Sequence, residues 1–90
     1  MTKSELIDAV ALSTGYGRAQ VKRTIEMTLD VMLNALEKGE RVELRNFGVF
    51  GTKMRNARKA HNPRTLAEID VPARRVAYFR PGKEMRNRVS

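Results

Sequence analysis

The sequence contains no cysteine, no tryptophan, one histidine and three prolines. Without cysteine there is neither a disulfide framework nor a thiolate metal site, which fits a reducing, cytoplasmic setting. One histidine, His61, cannot by itself supply the usual zinc ligands, and no cofactor is expected. His61 also has no serine or cysteine nucleophile near it in sequence. The nucleophile, base and orienting partner that an active site needs are therefore not found, and no enzyme or small-molecule substrate is expected. Glu5, Asp8 and Glu26 read as acids on solvated helix faces. No Gly-x-x-x-x-Gly-Lys run is present to cradle a nucleotide phosphate. Long apolar runs are missing as well. No segment approaches the roughly 20 apolar residues of a membrane span, and Lys3, Glu5 and Asp8 interrupt the N-terminus before a signal-peptide core develops.

What the chain does have is positive charge, unevenly placed. The net charge is +8 over 90 residues. Residues 1–40 hold 5 Lys/Arg against 6 Asp/Glu, whereas residues 41–90 hold 13 against 4. A pI near 10.6 with the cations gathered in one half is the footprint of a nucleic-acid or anionic-membrane partner. A chain of this length makes one domain that buries only about 60–65% of its unfolded surface, so burial against a second subunit would help it.

Helical signals come first. Thr2-Lys3-Ser4-Glu5 is a capping box, with the Thr2 hydroxyl set to take the Glu5 N–H and the Glu5 side chain to reach back. It predicts a helix from Lys3 to Thr14 with Leu6, Ile7, Val10 and Ala11 on one face, ended by Gly15. Gly17 is an acceptable N-cap for a second helix, Arg18 to Lys38. There Val21, Ile25, Leu29, Met32 and Leu36 recur at helical spacing, and Gly39 closes the helix. Met27, Val31 and Leu33 widen the apolar surface beyond what the first helix can cover. Part of it is expected to face another subunit.

Strand signals follow. Arg41 to Arg45 alternates with the period of a half-buried strand, and Asn46-Phe47-Gly48 supplies a turn that tolerates positive φ. A second strand, Val49 to Arg55, runs on into a basic stretch. A return strand is read through Leu66, Ile69 and Val71, ended by Pro72. Val76 to Arg80 is the third core strand, and Pro81-Gly82 breaks to a short helix from Lys83 to Val89. This order predicts an α+β fold. It has two N-terminal helices, a three-stranded antiparallel sheet with an extended β-arm, and a short C-terminal helix. The boundaries are 1–39 for the two helices, 40–82 for the sheet with its arm at about 54–74, and 83–90 for the last helix. All belong to one domain, 1–90.

The stretch Lys53 to Thr65 is nearly free of apolar residues, and five of its thirteen residues are Lys or Arg. Pro63 removes a backbone donor and fixes φ, and Asn62 before it is pushed to extended backbone, so the run cannot continue as helix or central strand. Its cations suit a ladder of phosphates; a solvated, disordered loop is the bland alternative.

With these residues assembled, the chain resembles the bacterial HU / integration host factor family over its whole length. The match is carried by Lys3, Glu5-Leu6-Ile7, Ala9-Val10-Ala11, Gly15, Leu36 with Gly39, Phe47-Gly48 with Phe50, Arg58-Lys59, Asn62-Pro63 with Thr65, Ile69 and Phe79-Arg80-Pro81-Gly82-Lys83. The resemblance implies an intertwined homodimer, or a heterodimer with a paralogous subunit, in which the helices of residues 1–39 form the dimerisation base. Its arms would wrap double-stranded DNA through the minor groove, and it would organise or compact the nucleoid. Pro63 matches the intercalating wedge. Lys53, Arg55, Arg58, Lys59, Arg64, Arg74 and Arg75 match arm and sheet cations, with His61 and Asn62 beside the wedge. Arg80, Lys83 and Arg86 match flank contacts, Lys83 starting a helix whose N–H groups can meet a phosphate. Lys3, Arg45 and Asn46 are carried over as further DNA contacts. Val21, Ile25, Leu29, Met32, Leu36, Phe47, Phe50 and Phe79 match the dimer core.

Three positions depart from the family pattern, which has arginine at 61 and glycine at 66 and 46. Asn46 accepts the left-handed region readily, whereas Leu66 does so at a cost. Pro63 as a plain turn residue and Arg86 or Arg88 as solvated helix face are the bland readings. Three functional alternatives stay open: a sequence-specific, integration-host-factor-like bender, a basic RNA-binding module and a membrane-surface protein. The arm lacks stacking aromatics for RNA, Tyr16 and Tyr78 lying elsewhere. No segment pairs a large apolar face with a lysine-rich one, as membrane surfaces require.

Overall fold

The capping residues set where the first helix begins and ends in the computed structural model, which describes residues 1–90. Helix α1 spans Lys3–Thr14; Thr2 accepts the Glu5 N–H at 3.1 Å, and Gly15 at φ 77° returns its N–H to Ala11. The reciprocal half of the box differs from expectation: the Glu5 carboxylate takes the Thr2 hydroxyl at 3.2 Å. Helix α2 runs Arg18–Glu37, starting on the Gly17 carbonyl. It stops one residue early because Lys38 and Gly39 turn their N–H groups to Ala35 and Leu36, at 3.1 and 3.0 Å, tightening the last turn.

The chain divides into two compact units, Met1–Asn34 and Ala35–Ser90. In the first, Ile7 and Val21 form a small buried core. Around it Lys3 meets Glu26 at 3.0 Å, and Arg18 meets Asp8 at 2.6 Å and Ser4 at 3.0 Å. Asp8 and Glu26, read as merely solvated, are thus each paired. Leu29 of the α2 stripe and the residues that widen it are uncovered. Ile25 and Met32 are half-buried, while Met27, Leu29, Val31 and Leu33 are between 45 and 60% exposed. Burying such side chains is worth about 1.5–3 kcal/mol each, so this much uncovered apolar surface calls for a partner.

In the second unit the strands β1 (Val42–Leu44), β2 (Gly48–Arg55) and β5 (Arg74–Pro81) form one antiparallel sheet in the order β1-β2-β5. A separate pair, β3 (Arg58–His61) and β4 (Glu68–Val71), makes the arm, and α3 covers Lys83–Val89. The fold class is the α+β arrangement expected. Strand β1 is shorter than the alternation suggested, Arg41 and Arg45 lying beyond its ladder. The hairpin turn closes with the Phe47 N–H on Leu44 at 2.9 Å, and Asn46 takes φ 68°. Strand β2 pairs with β5 along its whole length, from Gly48 opposite Pro81 to Arg55 opposite Arg74.

Cross-strand partners share a face, so this register sorts the sheet. One face gathers Val42, Leu44, Phe50, Thr52, Ala77 and Phe79. Phe79 stacks at 4.6 Å on Phe50 and 5.8 Å on Phe47. Gly48 is needed there, because a Cβ would lie 2.6 Å from both the Phe79 ring and the Arg80 carbonyl. Phe50 and Leu36 are half-buried, but Phe47 and Phe79 remain 47 and 40% exposed. The other face gathers Lys53, Arg55, Arg74, Tyr78 and Arg80.

Candidate nucleic-acid interface

The cationic face is built by two strands that place charge at alternate positions. Lys53 and Arg55 on β2 lie on the same side as Arg74 and Arg80 on β5, with Tyr78 among them. The Lys53 ammonium sits 6.0 Å and the Arg80 guanidinium 5.8 Å from the Tyr78 ring. Both are within cation–π reach, so one aromatic ring orients two cations. Gly51, opposite Tyr78, leaves the room: a Cβ there would lie 2.5 Å from the phenolic oxygen. The sequence pattern makes Tyr78 a core-strand residue, and the register reveals its position among the cations.

Where the main sheet hands over to the arm, a concavity of about 610 Å³ opens, lined by Lys53, Arg55, Arg58, Arg74, Val71 and Pro72 among others. Four cations line it and no acid does. Such a pocket of one charge sign attracts a polyanion.

The arm is less uniform. Lys59 stands opposite Asp70 and His61 opposite Glu68, and the Lys59 ammonium lies 3.6 Å from the Glu68 carboxylate. Its other face carries Arg58, Ala60, Ile69 and Val71. The stretch read as a cation ladder therefore has two acids returning beside it. At the tip, the turn is closed by its own backbone: Asn62 N–H to Ala67 O at 2.9 Å and Leu66 N–H to Asn62 O at 2.8 Å. Asn62 Oδ1 accepts from the Arg64 N–H at 2.9 Å, an Asx turn that presents Pro63 and Arg64 outward. Pro63 is exposed. Leu66 does not belong to the return strand as expected; it sits in the turn at φ 58°, since the chain needs a left-handed residue to reverse there. That conformation costs a leucine about 1 kcal/mol.

The remaining candidates are dispersed. Arg75 projects to the opposite face from Arg74, and its guanidinium donates to the Glu37 carbonyl at 3.1 Å. It caps α2 and stands apart from the other sheet cations. Arg45 and Asn46 are exposed in the β1–β2 turn. Lys83 opens α3 and Arg86 lies in its last turn, with Gly82 anchored by its N–H to the Phe47 carbonyl at 2.9 Å. Lys3 belongs to the first unit and is held by Glu26. The hydrogen bond from Lys3, and next its charge, hold the Glu26 carboxyl below the ordinary carboxylate range. Glu43, unremarked in sequence, edges the cationic face opposite Val49 and is offset by Arg41 at 3.6 Å. No group of three or more His, Cys, Asp or Glu side chains is gathered as a metal would need, and no helix is long and apolar enough to cross a membrane.

Comparison with known proteins bears on this arrangement. The profile of the family described as "Bacterial DNA-binding protein" matches residues 1–90. Integration host factor subunit beta of Dichelobacter nodosus is 44% identical over 90 residues, covering 99% of this chain and 94% of that protein. DNA-binding protein HU 1 of Bacillus subtilis is 38% identical over 90 residues, covering 100% and 98%. Among solved structures, an Anabaena HU–DNA cocrystal superposes with a TM-score of 0.94 at 36% identity, covering 100% of this chain and 98% of that one.

Proposed function

The chain belongs to the bacterial DNA-binding protein family, and from that premise we propose that it is an architectural, histone-like protein that binds and bends duplex DNA as a dimer. The observation that carries this reading is the cationic concavity at the root of a Pro63-tipped arm. The sheet cations Lys53, Arg55 and Arg74 hold the phosphates there, and the arms follow the minor groove. Pro63, exposed on a turn closed by its own backbone bonds, enters a base step. The bent duplex then meets more cationic surface. Arg58, Lys59 and Arg64 hold the backbone beside the arm. Arg80, Lys83 and Arg86 hold flanking DNA.

The dimer forms through the base, residues 1–39, and the apolar sheet face. Uncovered side chains of each unit, Leu29, Val31 and Leu33 in the first and Phe47 and Phe79 in the second, become buried between two copies, or between this chain and a paralogue. Such a protein performs no chemistry and acts in the cytoplasm on the nucleoid. Binding is broad and selected by deformability, because minor-groove readout is degenerate.

Competition by duplex DNA, double-stranded RNA and anionic vesicles for a labelled, nicked duplex tests this reading. Duplex DNA is expected to compete best. Equal competition by double-stranded RNA would support a basic RNA-binding module instead. One natural site bound more than about 1,000-fold over random duplex would place the chain with sequence-specific benders.

A further inference from the structure

Leu66 occupies a position that its own fold does not reward. It is 77% exposed and left-handed at φ 58°, three residues beyond Pro63 on the same turn. A singly exposed leucine is ordinary on a protein surface. An exposed leucine in a backbone region that favours glycine or asparagine is not, because both the strain and the exposure work against it. The turn does not need the side chain: its reversal is closed by the backbone bonds of Asn62, Leu66 and Ala67, by the Asn62 Oδ1 acceptor, and by the Thr65 hydroxyl taking the Ala67 N–H at 3.2 Å. Pro63 and Leu66, the larger apolar side chains of the tip, therefore both stand free at the far end of an arm whose root is cationic.

We propose that Leu66 is a second apolar wedge, which acts with Pro63 at an opened base step and raises the affinity of this chain for duplexes whose stacking is already interrupted by a nick or a mismatch. The inference rests on the minor-groove reading above. Leucine is among the side chains able to enter a base step, and burying it between bases returns the free energy that its exposure withholds in the free protein. At an interrupted step the unstacking cost is already met, so the gain from a second wedge appears as affinity.

The test uses the full chain with Leu66→Asn, which keeps a residue suited to the left-handed region but removes the apolar wedge, and Leu66→Met, which keeps apolar bulk. Binding is measured on a nicked duplex carrying 2-aminopurine beside the nick, and on the same duplex sealed. Leu66→Asn is expected to bind the nicked duplex about tenfold more weakly, equivalent to about 1.4 kcal/mol, with a reduced rise in 2-aminopurine fluorescence. Leu66→Met should stay near wild type in both readouts. Equal binding and equal fluorescence for wild type and Leu66→Asn, or equal losses for Leu66→Asn and Leu66→Met, would overturn the proposal. Failure of the minor-groove reading is seen separately, as wild-type protein that gives no fluorescence rise on the nicked duplex.

Discussion

The Arg75 guanidinium donates a hydrogen bond to the Glu37 carbonyl at 3.1 Å, while its neighbour Arg74 lies on the opposite, cationic face of the sheet. Two adjacent arginines thus do different work. The last turn of α2 contains no basic residue of its own, so Arg75 supplies the cation that the negative end of a helix favours. Arg75→Ala is expected to cost about 1 kcal/mol of stability and to leave the salt dependence of DNA binding unchanged. Arg74→Ala should do the reverse. Chemical denaturation beside a salt titration checks both.

The cationic face sets the second expectation. A dimer carries twice the chain's +8, and engagement of roughly 8 phosphates gives a slope of log affinity on log salt near −7. Lys53→Ala or Arg55→Ala should reduce its magnitude by about 1 or more per dimer. An unchanged slope would put those side chains away from the DNA backbone.

Much of this was legible in the sequence, and the residues show why. Thr2, Gly15, Gly17 and Gly39 punctuate the helices through local geometry, and both helices appear within one residue of expectation. The hairpin at Asn46 was equally local. Leu66 reads as strand because it is an apolar residue just ahead of Ile69 and Val71, but closing the arm needs a left-handed residue at that point. The pairing of Lys59 with Glu68, the side taken by Arg75 and the placing of two cations about Tyr78 all depend on strand register. Register joins residues far apart in the chain, which a pattern in one strand does not encode.

The acids of the arm lead to a third expectation. Glu68 and Asp70 face Lys59 and His61 and repel the phosphates that those residues would meet. Glu68→Gln with Asp70→Asn should tighten binding to duplex DNA by up to about fivefold, the scale of an exposed ion pair. Binding unchanged or weakened would mean that this face of the arm turns away from DNA.

Acidification bears on the first unit. Lys3 holds the Glu26 carboxyl below its ordinary value, so the unfolded chain takes up this proton before the folded one does. The stabilisation is present above the unfolded value and is lost as pH falls through the folded one. Both side chains are about half exposed, and the effect is small. Thermal midpoints followed downward from pH 6 should fall slightly less for Glu26→Gln than for wild type. Parallel curves would show that the pair contributes nothing.

The central claim is that the arm tip bends DNA, and end-to-end energy transfer on a short, doubly labelled duplex measures it most directly. Wild-type protein should raise the transfer efficiency. Pro63→Ala should lose most of that rise while keeping its affinity within a few-fold, because the phosphate contacts at the sheet remain. Undiminished bending by Pro63→Ala, or a duplex left straight by wild-type protein at saturation, would contradict it.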